Sequence, residues 1–72
     1  MNSPKKKTTK KKIAAEAGIG PDFFSHILWG RRPCPVAVAI RLEKVTGIDR
    51  DIWISRHPKE IRNIVEEYIY TE

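Results

Sequence analysis

Glycine and proline punctuate this chain more tightly than any other feature. Gly18, Gly30 and Gly47 alternate with Pro21, Pro35 and Pro58, and the apolar residues between them recur at helical spacing. Proline suits the first turn of a helix, where its missing N–H would have had no partner anyway. Glycine suits the position just past a helix, where the chain turns left-handed. Three such starts and three such stops in 72 residues cut the chain into short helical pieces. No segment alternates with period two, and there is no internal repeat. The expectation is an all-α fold, a small bundle of four to five short helices around one core.

The boundaries follow residue by residue. Thr8 or Thr9 can N-cap a first helix over Lys10–Ala17, with Ile13, Ala14 and Ala17 on one side and Gly18 as its stop. Gly20–Pro21 opens a second helix that runs to about Trp29 and ends at Gly30. Arg31-Arg32-Pro33-Cys34-Pro35 is a basic, proline-bounded loop. A third helix spans roughly Pro35–Thr46, with Val38, Leu42 and Val45 inward and Ala39 allowing close approach. Asp49 can cap a short fourth helix carrying Ile52 and Trp53. Pro58 starts the last helix, about 58–70, with a stripe of Ile61, Ile64, Val65, Tyr68 and Ile69. Residues 1–8 have no apolar periodicity and read as a disordered arm, leaving residues 9–72 as one domain.

Size and composition exclude several classes of function. A domain this short buries only about 60% of the surface its unfolded chain exposes, which argues against a deep cofactor pocket. Cys34 is alone, so neither a disulfide nor a zinc cluster is expected. No apolar run approaches the roughly 20 residues of a membrane span, and the charged N-terminus lacks a signal peptide's apolar stretch. The expected compartment is the cytoplasm. Ser25 and His26 are neighbours pointing about 100° apart on one helix, so they form no nucleophile–base pair. Asp49 and Asp51 read as a cap and a first-turn charge, and His57 precedes Pro58 near a helix start. No enzyme activity, cofactor or metal is expected.

The net charge of +5 is unevenly spread. Lys5, Lys6, Lys7, Lys10, Lys11 and Lys12 lie in the first twelve residues, while the remaining sixty carry eight basic and nine acidic groups. A basic arm on a nearly neutral body favours polyanions, nucleic acid ahead of an acidic membrane surface. The alternative is a solubilising tail.

Two short helices joined by a tight glycine turn are the geometry of a helix-turn-helix. Ala14 stands four before Gly18, Ile19 follows it, and Phe24 and Ile27 face inward from the second helix. The stretch Ile13-Ala14-Ala15-Glu16-Ala17-Gly18-Ile19, then Phe24-Ser25-His26-Ile27-Leu28-Trp29-Gly30-Arg31-Arg32, resembles the lambda-repressor-like (Cro/XRE) helix-turn-helix family. Ala39–Ile48 and Trp53 look like that family's following helices, so the resemblance covers about residues 9–54. It implies a helical DNA-binding domain of prophage or plasmid regulators, commonly dimeric, and the Trp53 position also looks like antitoxins of toxin–antitoxin pairs. The family's usual preceding helix would fall on residues 1–7, which offer no apolar face.

In a helix-turn-helix the outward face of the second helix enters the major groove, N-terminal residues first. Projection at 100° per residue leaves Pro21, Asp22, Ser25 and His26 as the candidate base-edge contacts. Trp29 also projects outward, and the expectation is that it folds back on a neighbouring helix. In the resembled family the loop after this helix grips a phosphate, which assigns that role to Arg31 and Arg32. Lys10 and Lys11 at the start of the first helix are further phosphate candidates. Ile61, Ile64 and Tyr68 are expected to contribute a homodimer contact, since two half-sites about 34 Å apart would sharpen specificity. The expected function is a double-stranded-DNA-binding transcriptional regulator. The alternative is a protein-interaction module, an antitoxin or adaptor holding its partner with the last helix.

Overall fold

Five helices and no strand occupy the described residues, 6–70 of the computed structural model; residues 1–5 and 71–72 lie outside that region. The helices are α1 (Lys10–Glu16), α2 (Pro21–Leu28), α3 (Val36–Thr46), α4 (Arg50–Ser55) and α5 (Pro58–Tyr70). The all-α expectation holds, and no helix is long and apolar enough to cross a membrane. Among the described residues no helix precedes α1.

Local chemistry sets each boundary. Thr9, rather than Thr8, caps α1, its hydroxyl accepting from Lys12 N–H at 3.1 Å. The C-terminus of α1 closes in a Schellman pattern: Ile19 N–H donates to Ala14 C=O at 2.9 Å and Gly18 N–H to Ala15 C=O at 3.1 Å. Ala17 is therefore the C-cap, one residue outside the helix expected to include it. The same pattern ends α2, with Arg31 N–H on His26 C=O at 2.8 Å and Gly30 N–H on Ile27 C=O at 3.2 Å. Trp29 thus becomes a cap residue rather than the last helical one. Pro35 is likewise the residue before α3, not its first. Asp49 caps α4 through Asp51 N–H, and His57 Nδ1 accepts from Lys59 N–H at the start of α5.

The core is drawn from every helix. Trp53, Phe24, Ile13, Leu42 and Val65 are its largest fully buried side chains. The Phe24 and Trp53 rings meet at 5.9 Å between centroids, tilted by 47°. Trp53 Nε1–H donates to Ile48 C=O at 3.2 Å, satisfying the one polar atom that this burial would otherwise strand. Ala14 and Ala39 have no exposed surface, so α1 packs closely against α2 and α3. Val45 is only half-buried and lies against the core rather than in it.

The last helix needs one correction. Ile61 is 4% exposed and packs with Val65 and Ile69 inside the chain's own core, so it has no surface to give a second copy. A core this thin draws Ile61, Val65 and Ile69 from the apolar edge of α5. Ile64 and Tyr68 remain half-buried at its margins.

Lys7 is also tied down. Its N–H donates to Ile69 C=O at 2.9 Å, and its ammonium lies 4.1 Å from the centre of the Tyr68 ring. Lys6 stands 5.8 Å from the Tyr70 ring. The arm expected to be free as far as residue 8 is held against α5 at Lys6 and Lys7. Thr8 is half-buried, and the rest of that expectation falls on residues 1–5, outside the described region.

Candidate nucleic-acid interface

The outer face of α2 carries the residues singled out from the sequence. Pro21, Asp22 and Ser25 are exposed. Pro21 occupies the first helical turn, which needs no N–H there, and Gly20 is the capping residue. Phe24, Ile27 and Leu28 turn inward and fix the rotation of the helix about its axis. His26 departs from the projection. Its ring is half-buried, and Nδ1 is shielded with no hydrogen-bond partner among the described residues. Its carbonyl accepts from Arg31 N–H and from Arg32 N–H, at 2.8 and 3.3 Å, so the following loop folds back onto this residue.

That double bond from the loop also positions the arginines. Their backbone is anchored while both side chains stay exposed, and among the described residues neither forms an ion pair. Gly30 makes this possible. It sits at φ +73°, and a Cβ there would come within 2.7 Å of Pro58 Cγ. The left-handed turn therefore lies directly against the first residue of α5.

The start of α1 joins this face from the other side. Lys10, Lys11, Pro21, Ser25 and Trp29 line one groove of about 170 Å³, floored by Phe24 and Leu28. Lys10 is shared, since its ammonium pairs with Glu66 at 3.0 Å with both side chains about half exposed. Such a pair contributes little and is readily exchanged for another anion. Lys11 has no ion pair among the described residues. The structure thus brings both lysines together with Pro21 and Ser25. Arg32 lines a different groove with Cys34, Arg56 and Ile54.

Cys34 does not add chemistry to that second groove. Its thiol is buried, donates weakly to Pro35 C=O at 3.6 Å, and is pushed up by desolvation to about 11. A thiol held protonated is a poor nucleophile and a poor metal ligand. Among the described residues no cluster of histidine, cysteine and carboxylates has a metal-binding arrangement.

Trp29 and Arg62 were not paired by sequence reasoning. Trp29 stays 58% exposed and meets the neighbouring helix α5 through Arg62 rather than by burial. Arg62 comes to it from α5: the guanidinium carbon lies 3.9 Å from the ring centre, and Nη1 donates to Leu28 C=O at 2.9 Å. A signal for this existed. Arg62 precedes Ile69 by seven residues, nearly two full turns, which places it on the buried side of α5. Comparison of the chain with protein-family models, with curated proteins and with solved structures gives no match.

Proposed function

We propose that this chain is a double-stranded-DNA-binding helix-turn-helix protein and acts as a transcriptional regulator of prophage or plasmid type. One observation carries the reading. The exposed start of α2 is bracketed by basic groups, with Lys10 and Lys11 along one flank and Arg31 and Arg32 just past its end. In this reading α2 lies in the major groove with Pro21, Asp22 and Ser25 nearest the base edges and part of His26 behind them. Arg31, Arg32, Lys10 and Lys11 hold phosphates, and the lysine arm adds sequence-independent attraction. Regulation is by occupancy of the site.

A homodimer belongs to the same proposal, with Ile64 and Tyr68 supplying the contact now that Ile61 is assigned to the core. The rival reading, a partner such as a toxin held by α5, has less apolar surface to use because Ile61, Val65 and Ile69 face inward. The test is a selection of bound sequences from random duplex DNA, followed by a salt titration. Replacing both arginines, Arg31→Ala with Arg32→Ala, is expected to weaken binding to every sequence. The log–log salt slope should fall by about 0.9 for each phosphate that is no longer neutralised. Enrichment of no sequence, with no effect of the arginines on affinity, would leave the protein-interaction reading as the better one.

A further inference from the structure

We infer that Trp29, braced by Arg62 and flanked by Lys10 and Lys11, is a subsite for the sugar–phosphate backbone of one DNA strand. The ring takes the apolar face of a deoxyribose, and the ammonium groups take the adjoining phosphates. The inference rests on the duplex-DNA reading and names a contact outside the base-reading face.

The position of Trp29 calls for an explanation that packing does not supply. The other tryptophan, Trp53, is 2% exposed and fills the core, whereas Trp29 is 58% exposed. The ring is nonetheless restrained. Arg62 is fixed at two points, by its hydrogen bond to Leu28 C=O and by its stacking at 3.9 Å. A guanidinium so held favours one orientation of the indole, so an incoming partner meets a surface already in place.

The surroundings select the partner's chemistry. Trp29 walls the groove whose floor is Phe24 and Leu28 and whose rim carries Lys10 and Lys11. Glu66 is the acid paired with this rim, and it engages Lys10 across a solvent-exposed distance of 3.0 Å. The site therefore asks for an anion attached to a flat apolar surface. A DNA strand offers that combination once per nucleotide. In a duplex the base faces are stacked inside, so the sugar is the apolar surface within reach. An acidic peptide with an aromatic side chain is the competing occupant.

The test uses the full chain with a duplex selected from random DNA, together with the single strand of the same sequence. Trp53 is shielded, so emission accessible to acrylamide reports Trp29. Duplex binding is expected to remove that access. Trp29→Ala is expected to weaken binding to all duplexes roughly tenfold, with sequence preference and salt slope unchanged. Trp29→Phe should recover part of the loss, and Lys11→Ala should lower the slope by about 0.9. Because Trp29 is a surface residue, the helical circular dichroism of the variants is expected to match wild type. A bound duplex that leaves Trp29 fully quenchable, or a Trp29→Ala chain that binds like wild type, overturns the subsite and leaves the DNA reading standing. Tighter, Trp29-dependent binding of the single strand overturns the sugar contact in favour of base stacking. Wild-type chain that binds no duplex overturns both readings.

Discussion

The turns after α1 and after α2 are built alike and are used differently. Each closes a helix in a Schellman pattern around a left-handed glycine, Gly18 at φ +74° and Gly30 at φ +73°. A Cβ added at Gly18 would approach only the far end of the Arg41 side chain, at 3.8 Å. A Cβ added at Gly30 would meet Pro58 Cγ at 2.7 Å and Pro58 Cβ at 3.3 Å. The first glycine answers a local demand, the sign of φ. The second answers that demand and also the approach of α5. One local code thus sets an angle between two helices in the first case and ties the arginine loop to the end of the chain in the second.

The largest expected effect separates the two turns directly. Gly30→Ala combines left-handed strain with overpacking and is expected to cost about 2–4 kcal/mol. Gly18→Ala carries the strain alone and is expected to cost about 1–2 kcal/mol. Urea unfolding of the two variants measures both. Adding Pro58→Ala to Gly30→Ala should recover part of the loss, while Pro58→Ala should do nothing for Gly18→Ala. Equal costs, or no recovery, would show that the contact with α5 is unimportant.

A smaller effect asks whether the first turn depends on its own helix. Thr9→Ala removes the cap hydroxyl that accepts from Lys12 N–H, and a loss of about 1 kcal/mol is expected. If the α1–α2 unit is locally determined, this loss should add to that of Gly18→Ala, because the two sites share no partner. Strong coupling in a double-mutant cycle would contradict that independence.

A pH-dependent effect lies beyond the second turn, at Cys34. Burial raises the thiol to about 11 from an ordinary value of 9.0. Between these values the unfolded chain releases the proton while the folded chain keeps it. The folded state therefore binds more protons, and its stability falls as pH rises through that window. Below pH 9 the contribution is fully present. Cys34→Ala should remove this part of the pH dependence, measured as the difference in urea midpoint between the two chains at pH 8 and pH 10.5. Wild type and variant losing stability in parallel would mean that the thiol is solvated.

Much of the fold was legible because its rules are local. Pro21 and Pro58 begin helices, Gly18, Gly30 and Gly47 follow their ends, and Phe24, Ile27, Leu28, Val38 and Leu42 are buried as their spacing implies. The candidate interface was legible to the extent that it depends on one helix: Pro21, Asp22 and Ser25 are on the outer face of α2. His26 was not, because its ring is half-buried with Nδ1 shielded, which a projection of one helix alone cannot register. Nor was the role of Ile61, because whether an apolar stripe meets its own core or another molecule depends on how much of it that core consumes. The pairs Arg62–Trp29 and Lys7–Ile69 join residues far apart in sequence; the spacing in α5 gives the side of the helix on which Arg62 stands, but not the partner it meets.

The hydrogen bond from Lys7 N–H to Ile69 C=O has a consequence in the order of synthesis. A chain made from its N-terminus carries the lysine segment long before Ile69 exists. Until then Lys6 and Lys7 have neither the Tyr68 and Tyr70 rings nor the last carbonyls of α5 to rest on, and the core lacks Ile61, Val65 and Ile69. A growing or truncated chain therefore presents its positive charge loose and unscreened, beside a hydrophobic layer still open to water. Loss of α5 would therefore remove the resting places of Lys6 and Lys7 and the Ile61, Val65 and Ile69 share of the core together.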